Sequence, residues 1–119
     1  MISRDEIDRL CARFAGATFA HPPELMSWKV GGKMFVCFGG EADMEGVSVK
    51  TDSVETAEML IEAGAAIKAP YFHRSWIRLP FADTDPEEAH LRLRTSYDIV
   101  FKSLPKRTRE TVAVAGDTA

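Results

Sequence analysis

The chain has 119 residues, of which 45% are hydrophobic and 28% are charged, and its formal net charge is -3. This length is typical of one domain with a single core, and the composition excludes the low-hydrophobicity, high-charge signature of disorder. The acidic total excludes a surface that is basic all over, but residues 66–110 are net basic and leave room for a local basic patch.

The compartment is suggested by the N-terminus and the cysteines. The opening Ser3-Arg4-Asp5-Glu6 is not the basic and then apolar run of a secretion signal, and no apolar stretch approaches the ~18 residues of a membrane span. Cys11 and Cys37 lie in apolar surroundings and are predicted to be buried free thiols. We therefore expect a cytoplasmic protein with no membrane association.

The first elements are a helix and a hairpin. Ser3-x-x-Glu6 is a capping box that predicts a helix over residues 3–15, ended by Gly16. Two β-rich runs then flank Gly31-Gly32, a pair able to form a two-residue turn. That turn pairs Val30 with Lys33 and Trp28 with Phe35. It predicts one face with Met26, Trp28, Val30, Phe35 and Cys37, and another with Lys29, Met34, Val36 and Phe38.

The later elements alternate between strands and helices. Residues 47–50 and 76–79 are predicted strands, and a helix capped near Ser53 is predicted over residues 53–63. Asp85-Pro86 starts a third helix that ends at Leu104, with its core face formed by Leu93, Tyr97, Val100 and Leu104. The tail, residues 111–119, has no sustained period and is predicted to be disordered.

This order predicts an α+β fold with two layers, in which three helices cover one face of a mostly antiparallel sheet. Residues 1–110 form one domain. No linker or internal repeat interrupts it.

No catalytic or metal-binding constellation is recognisable. Glu41, Asp43 and Glu45, with Asp52 in twelfth place, superficially match a calcium loop, but they join two strands where that loop joins two helices. The histidines are scattered, and the serines lack a nucleophile motif. We predict no cofactor, and an enzyme is the least favoured class.

The basic residues are more suggestive of function. Lysines near the hairpin tip can bind phosphates, and the aromatic residues Tyr71, Phe72 and Trp76 could stack on bases. The alternative is that these lysines protect edge strands and these aromatic residues belong to the core. The candidate nucleic-acid-binding residues are Lys29, Lys33, Lys50, Arg74, Arg78, Lys106 and Arg107.

Four segments together resemble the MmcQ/YjbR family, and the likeness covers about residues 2–106: WKVGGKMF, VSVK, APYFHRSWIRL and SYDIVFKSLPK. The resemblance implies a CyaY-like α+β fold and a "double-wing" arrangement, described as predicted DNA-binding. Its matching positions nominate Lys29, Lys33, Lys50 and Lys106 for binding. They make Trp28, Phe35, Trp76 and Tyr97 structural.

Two hypotheses remain. The first is a nucleic-acid-binding protein, and the second is a module that binds a protein or a small molecule in a groove beside the sheet. The distribution of the lysines distinguishes them, because phosphate binding needs the charges to converge on one surface.

Overall fold

The computed structural model describes residues 1–39 and 45–118. Its order is α1 (Arg4–Cys11), β1 (Thr18–Ala20), β2 (Met26–Val30), β3 (Lys33–Gly39), β4 (Gly46–Lys50), α2 (Val54–Glu62), β5 (Ile67–Lys68), β6 (Trp76–Pro80), a 3-10 turn (Phe81–Asp83), α3 (Pro86–Ser103) and α4 (Lys106–Thr118). The strands pair antiparallel in the order β1-β2-β3-β4-β6-β5. The α+β class is confirmed. The calcium-like positions 41 and 43 lie outside the described residues.

Local capping forms two of the helices as expected. Ser3 Oγ accepts a hydrogen bond from the Glu6 backbone N–H, and Ser53 Oγ accepts one from Thr56 N–H. Each bond satisfies a donor that the first helical turn would otherwise leave unpaired. Within the described ranges, no helix is long and apolar enough to span a membrane.

Helix α3 packs across β3 and β4 and builds the core. The four residues predicted for its core face, Leu93, Tyr97, Val100 and Leu104, are all buried. Ser96 joins the layers, because its Oγ donates to the Phe35 carbonyl at 2.5 Å and accepts from Lys50 N–H at 2.9 Å. Tyr97 Oη donates to the Ala15 carbonyl at 2.6 Å and so ties α3 to the chain that follows α1.

The hairpin register differs from the prediction at two points. Val30 faces Lys33 as expected across the two-residue turn, but Trp28 faces Val36 and Met26 faces Gly39, so Phe35 and Phe38 are each an extra residue on β3. The prediction that Trp28 pairs with Phe35 is therefore wrong. A bulge lets successive residues on one strand turn toward the same side, so Phe35 and Val36 are both fully buried and the predicted faces mix.

The described residues form four helices, whereas the sequence predicted three. Helix α4 begins after Pro105 and continues to Thr118, through most of the segment for which the sequence predicted disorder. Its anchors are tertiary contacts that no local pattern shows. Val112 is 8% exposed, and a Cβ atom placed on Gly16 would lie 2.9 Å from Val112 Cγ1.

Candidate functional site

The hairpin tip is packed against the junction of α3 and α4. Gly31 and Gly32 both have positive φ, as their turn requires. A Cβ atom placed on Gly31 would lie 2.7 Å from Leu104 Cδ1 and 3.0 Å from Thr108 Cγ2. The absence of a side chain at Gly31 therefore lets β2 and β3 reach the start of α4.

This packing can be tested by comparing Gly31→Ala with Gly32→Ala. Both variants place a Cβ on a residue with positive φ and pay a similar backbone cost, but a Cβ on Gly32 meets nothing within 4 Å. We expect Gly31→Ala to lose about 1–3 kcal/mol more stability, because Leu104 is buried and has little room to move. Urea unfolding measures the difference. Equal losses would show that the tip does not touch α4.

Three exposed cations lie within two residues of this contact along the chain. Lys33 follows the turn and pairs with Val30, so its side chain lies on the face that packs against α3. Lys106 and Arg107 open α4, whose first turn holds no acidic residue. We call Lys33, Lys106 and Arg107 the tip cluster; all three side chains are exposed. The N–H groups at a helix start add a further partial positive charge.

Lys29 and Lys50 lie on the other face of the sheet. The Trp28 ring donates its Nε1–H to Asp8 of α1, and Val49 is in the core, so the residue after each of them lies on the opposite face of the sheet. Lys29 Nζ donates to Glu24 Oε2 at 2.7 Å. This hydrogen bond and the lysine charge lower the pKa of the exposed Glu24 carboxyl. Lys29 therefore has an acidic partner, Glu24.

The other two arginines predicted to bind nucleic acid, Arg74 and Arg78, differ in burial. Arg74 is exposed and its Nη2 lies 3.0 Å from Glu58 Oε1. Arg78 is only 6% exposed. Its guanidinium donates to Ser48 Oγ at 3.1 Å, to the Gly46 carbonyl at 3.0 Å and to the Phe38 carbonyl at 3.2 Å. Arg78 thus holds β3, β4 and β6 together, and its place in a phosphate-binding surface is not supported by this geometry.

An aromatic pair lies near the same end of the sheet as Lys50. The rings of Phe72 and Trp76 are stacked, with centroids 4.5 Å apart and planes inclined by 29°. Both side chains are half-buried. They line a cleft of about 250 Å³ between the loop before β6 and the Ile61 side of α2. Lys68 also lines the cleft. It was not among the predicted residues, because β5 has only two residues and shows no alternation in the sequence.

The other aromatic residues nominated as structural have that role. Phe35 and Tyr97 meet edge to face in the core, with ring centroids 5.3 Å apart. Trp28 packs edge to face against Phe19, with centroids 5.4 Å apart.

Three observations concern the potentially reactive side chains in the part of the chain that the structure describes. No group of three or more His, Cys, Asp or Glu side chains could hold a metal ion among these residues. His73 Nδ1 lies 2.8 Å from Ser75 Oγ, but it also accepts from the Ser75 backbone N–H, which is a local turn. Cys11 and Cys37 are buried free thiols, and burial raises the pKa of both.

Comparisons with known proteins were made by sequence and by structure. The model of the YjbR family matches residues 12–99. The crystal structure of Deinococcus radiodurans protein DR2400, which carries a DUF419 domain, superposes with a TM-score of 0.81 at 22% sequence identity. That match covers 95% of this chain and 89% of the other. Among curated protein sequences, none matches significantly. At this identity the structural likeness concerns the fold alone.

Proposed function

We propose that this chain, which belongs to the YjbR family, binds nucleic acid by contacting phosphates with the tip cluster. The observation that carries the proposal is the packing of Gly31 on Leu104 and Thr108. That contact joins the hairpin that carries Lys33 to the start of the helix that carries Lys106 and Arg107, more than 70 positions later in the sequence. Phosphate contacts need such a local concentration of lysine and arginine, and they do not need a basic protein overall.

The surroundings of the tip cluster favour an anion. Lys106 and Arg107 lie in the first turn of a helix, where like-signed partial charge from the N–H groups disfavours cations. A phosphate bound there relieves this repulsion and accepts hydrogen bonds from lysine and arginine together. The cluster is therefore more strongly electropositive than three isolated surface cations.

The paired cations are a secondary part of the surface. Lys29 and Arg74 are each held by a glutamate, Glu24 and Glu58. Exposed ion pairs of this kind contribute about 0–1 kcal/mol, so a phosphate can replace the carboxylate at little cost. We assign them a smaller share of binding than the tip cluster, because exchange of one anion for another releases fewer counterions.

The test is the salt dependence of binding. Affinity for duplex and single-stranded DNA and for RNA is measured at several salt concentrations with the wild type and with Lys33→Ala/Lys106→Ala. If both lysines touch phosphate, the slope of log affinity against log salt should flatten by about 1.8 for duplex DNA and about 1.4 for single strands. The loss should be similar for all sequences, because phosphate contacts carry no base information.

The matched control removes the same charge elsewhere. Arg9 on α1 and Arg13, two residues after the end of α1, are exposed and line a cleft with Pro86 and His90, at the start of α3. Helix α3 has 18 residues, so this region lies roughly 25 Å from the start of α4. Arg9→Ala/Arg13→Ala should leave the salt slope almost unchanged. An equal flattening in both double variants would mean that binding depends on the net charge of the protein and not on the tip cluster.

A folded wild type with no affinity for DNA or RNA at low salt would overturn the proposal. The function class would then be the module that binds a protein or a small molecule. A cytoplasmic location is part of this proposal, and the two buried free thiols and the expected partner are consistent with it.

A further inference from the structure

The cleft at Phe72 and Trp76 has the features of a site for one planar ring. Its volume of about 250 Å³ is below the ~300–1,000 Å³ of sites that enclose drug-sized ligands. Its floor is apolar, formed by the stacked pair and Ile61. A planar ring that enters the cleft would stack on this aromatic pair, and offset stacking is one of the arrangements that aromatic rings prefer.

The surroundings of the cleft are mostly cationic. Lys50 and Trp76 are directly paired across β4 and β6, so their side chains leave the same face of the sheet about 5 Å apart at Cα. Lys68 and Arg74 line the rim, where Arg74 is paired with Glu58. Counting that glutamate, these side chains carry a net positive charge, which complements a ring that bears a phosphate.

We propose that this cleft is a nucleobase site, in which an unpaired base stacks on the Phe72 and Trp76 pair while its phosphate lies near Lys50 and Arg74. The ligand chemistry is shared by a free nucleotide and a single strand. The inference rests on the proposed function and refines it, because the faces of a base are covered inside a duplex and are accessible in a single strand.

The cleft and the tip cluster lie at the same end of the sheet, where Lys33 begins β3, Lys50 ends β4 and Trp76 begins β6. Two strand spacings, or about 10 Å, separate β3 from β6 along the sheet. Lys33 lies on the face that packs against α3, whereas Lys50 and Trp76 lie on the opposite face. A single strand that contacts both sites therefore has to pass around this end of the sheet.

The experiment uses three ligands: a short single-stranded oligonucleotide, the same oligonucleotide with abasic sites, and a mononucleotide. Binding is followed by affinity and by tryptophan fluorescence, which stacking quenches. We expect the oligonucleotide to bind at least about 5-fold more tightly than its abasic form, since base stacking on one aromatic residue contributes this much or more. Trp76→Leu should remove the difference.

Two variants assign the signal to one ring. The chain has two tryptophans, Trp28 and Trp76. Trp28→Phe should keep the quenching and Trp76→Phe should lose it. If Trp76→Leu does not fold, Phe72→Leu provides the second affinity variant, and the fluorescence comparison stands independently of both.

The outcomes separate the two proposals. Equal binding of the normal and abasic oligonucleotides, without quenching, overturns the nucleobase site and leaves phosphate binding in place. If neither oligonucleotide binds at low salt, the proposed function fails, and the mononucleotide decides about the cleft. Quenching of Trp76 by the mononucleotide then supports a free-nucleotide site, and no quenching overturns the inference.

Discussion

Leu93→Ala should lower the free energy of unfolding by about 2–5 kcal/mol, the range for removing a large aliphatic side chain from a packed core. Leu93 is fully buried in the middle of α3, the helix that packs across β3 and β4. Alanine leaves a cavity there, because the sheet behind it cannot collapse to fill the space. Urea or thermal unfolding followed by circular dichroism measures the change.

The matched control is Leu91→Ala on the same helix. Leu91 is 53% exposed, so the same substitution should change stability by no more than about 0.5 kcal/mol. The comparison removes any effect of helix propensity, because both variants make the same replacement in α3. Similar losses at the two positions would show that the orientation of α3 on the sheet is wrong.

Arg78→Met should cost about 3 kcal/mol of stability. Methionine keeps much of the side-chain volume but removes the donors to the Gly46 and Phe38 carbonyls and to Ser48 Oγ. Each buried acceptor left without a partner costs about 1–3 kcal/mol, and partial rearrangement offsets some of the sum. Chemical unfolding measures the loss.

Arg74→Met is the control for this prediction. Arg74 is exposed and has an exposed partner, Glu58, so its removal should cost less than about 1 kcal/mol. A loss below about 1 kcal/mol for Arg78→Met as well would mean that this arginine does not hold the strands together. It would then return to the list of residues available for phosphate binding.

The sequence by itself determined the features that depend on neighbours along the chain. The caps at Ser3 and Ser53 follow from side chains that reach a backbone N–H three residues away. The Gly31-Gly32 turn follows from positive φ at both residues. The buried stripe of α3 follows from the helical period, and the order of these elements was sufficient for the α+β class.

Only the tertiary structure decided the features that depend on distant parts of the chain. Phe35 enters a bulge because two successive side chains of β3 can be buried under α3, which strand alternation alone cannot indicate. The sequence of β6 shows an arginine, but the atoms that accept hydrogen bonds from the Arg78 guanidinium lie in β3 and β4. Gly31 packs against Leu104 and Thr108, and no local pattern encodes a contact across that separation.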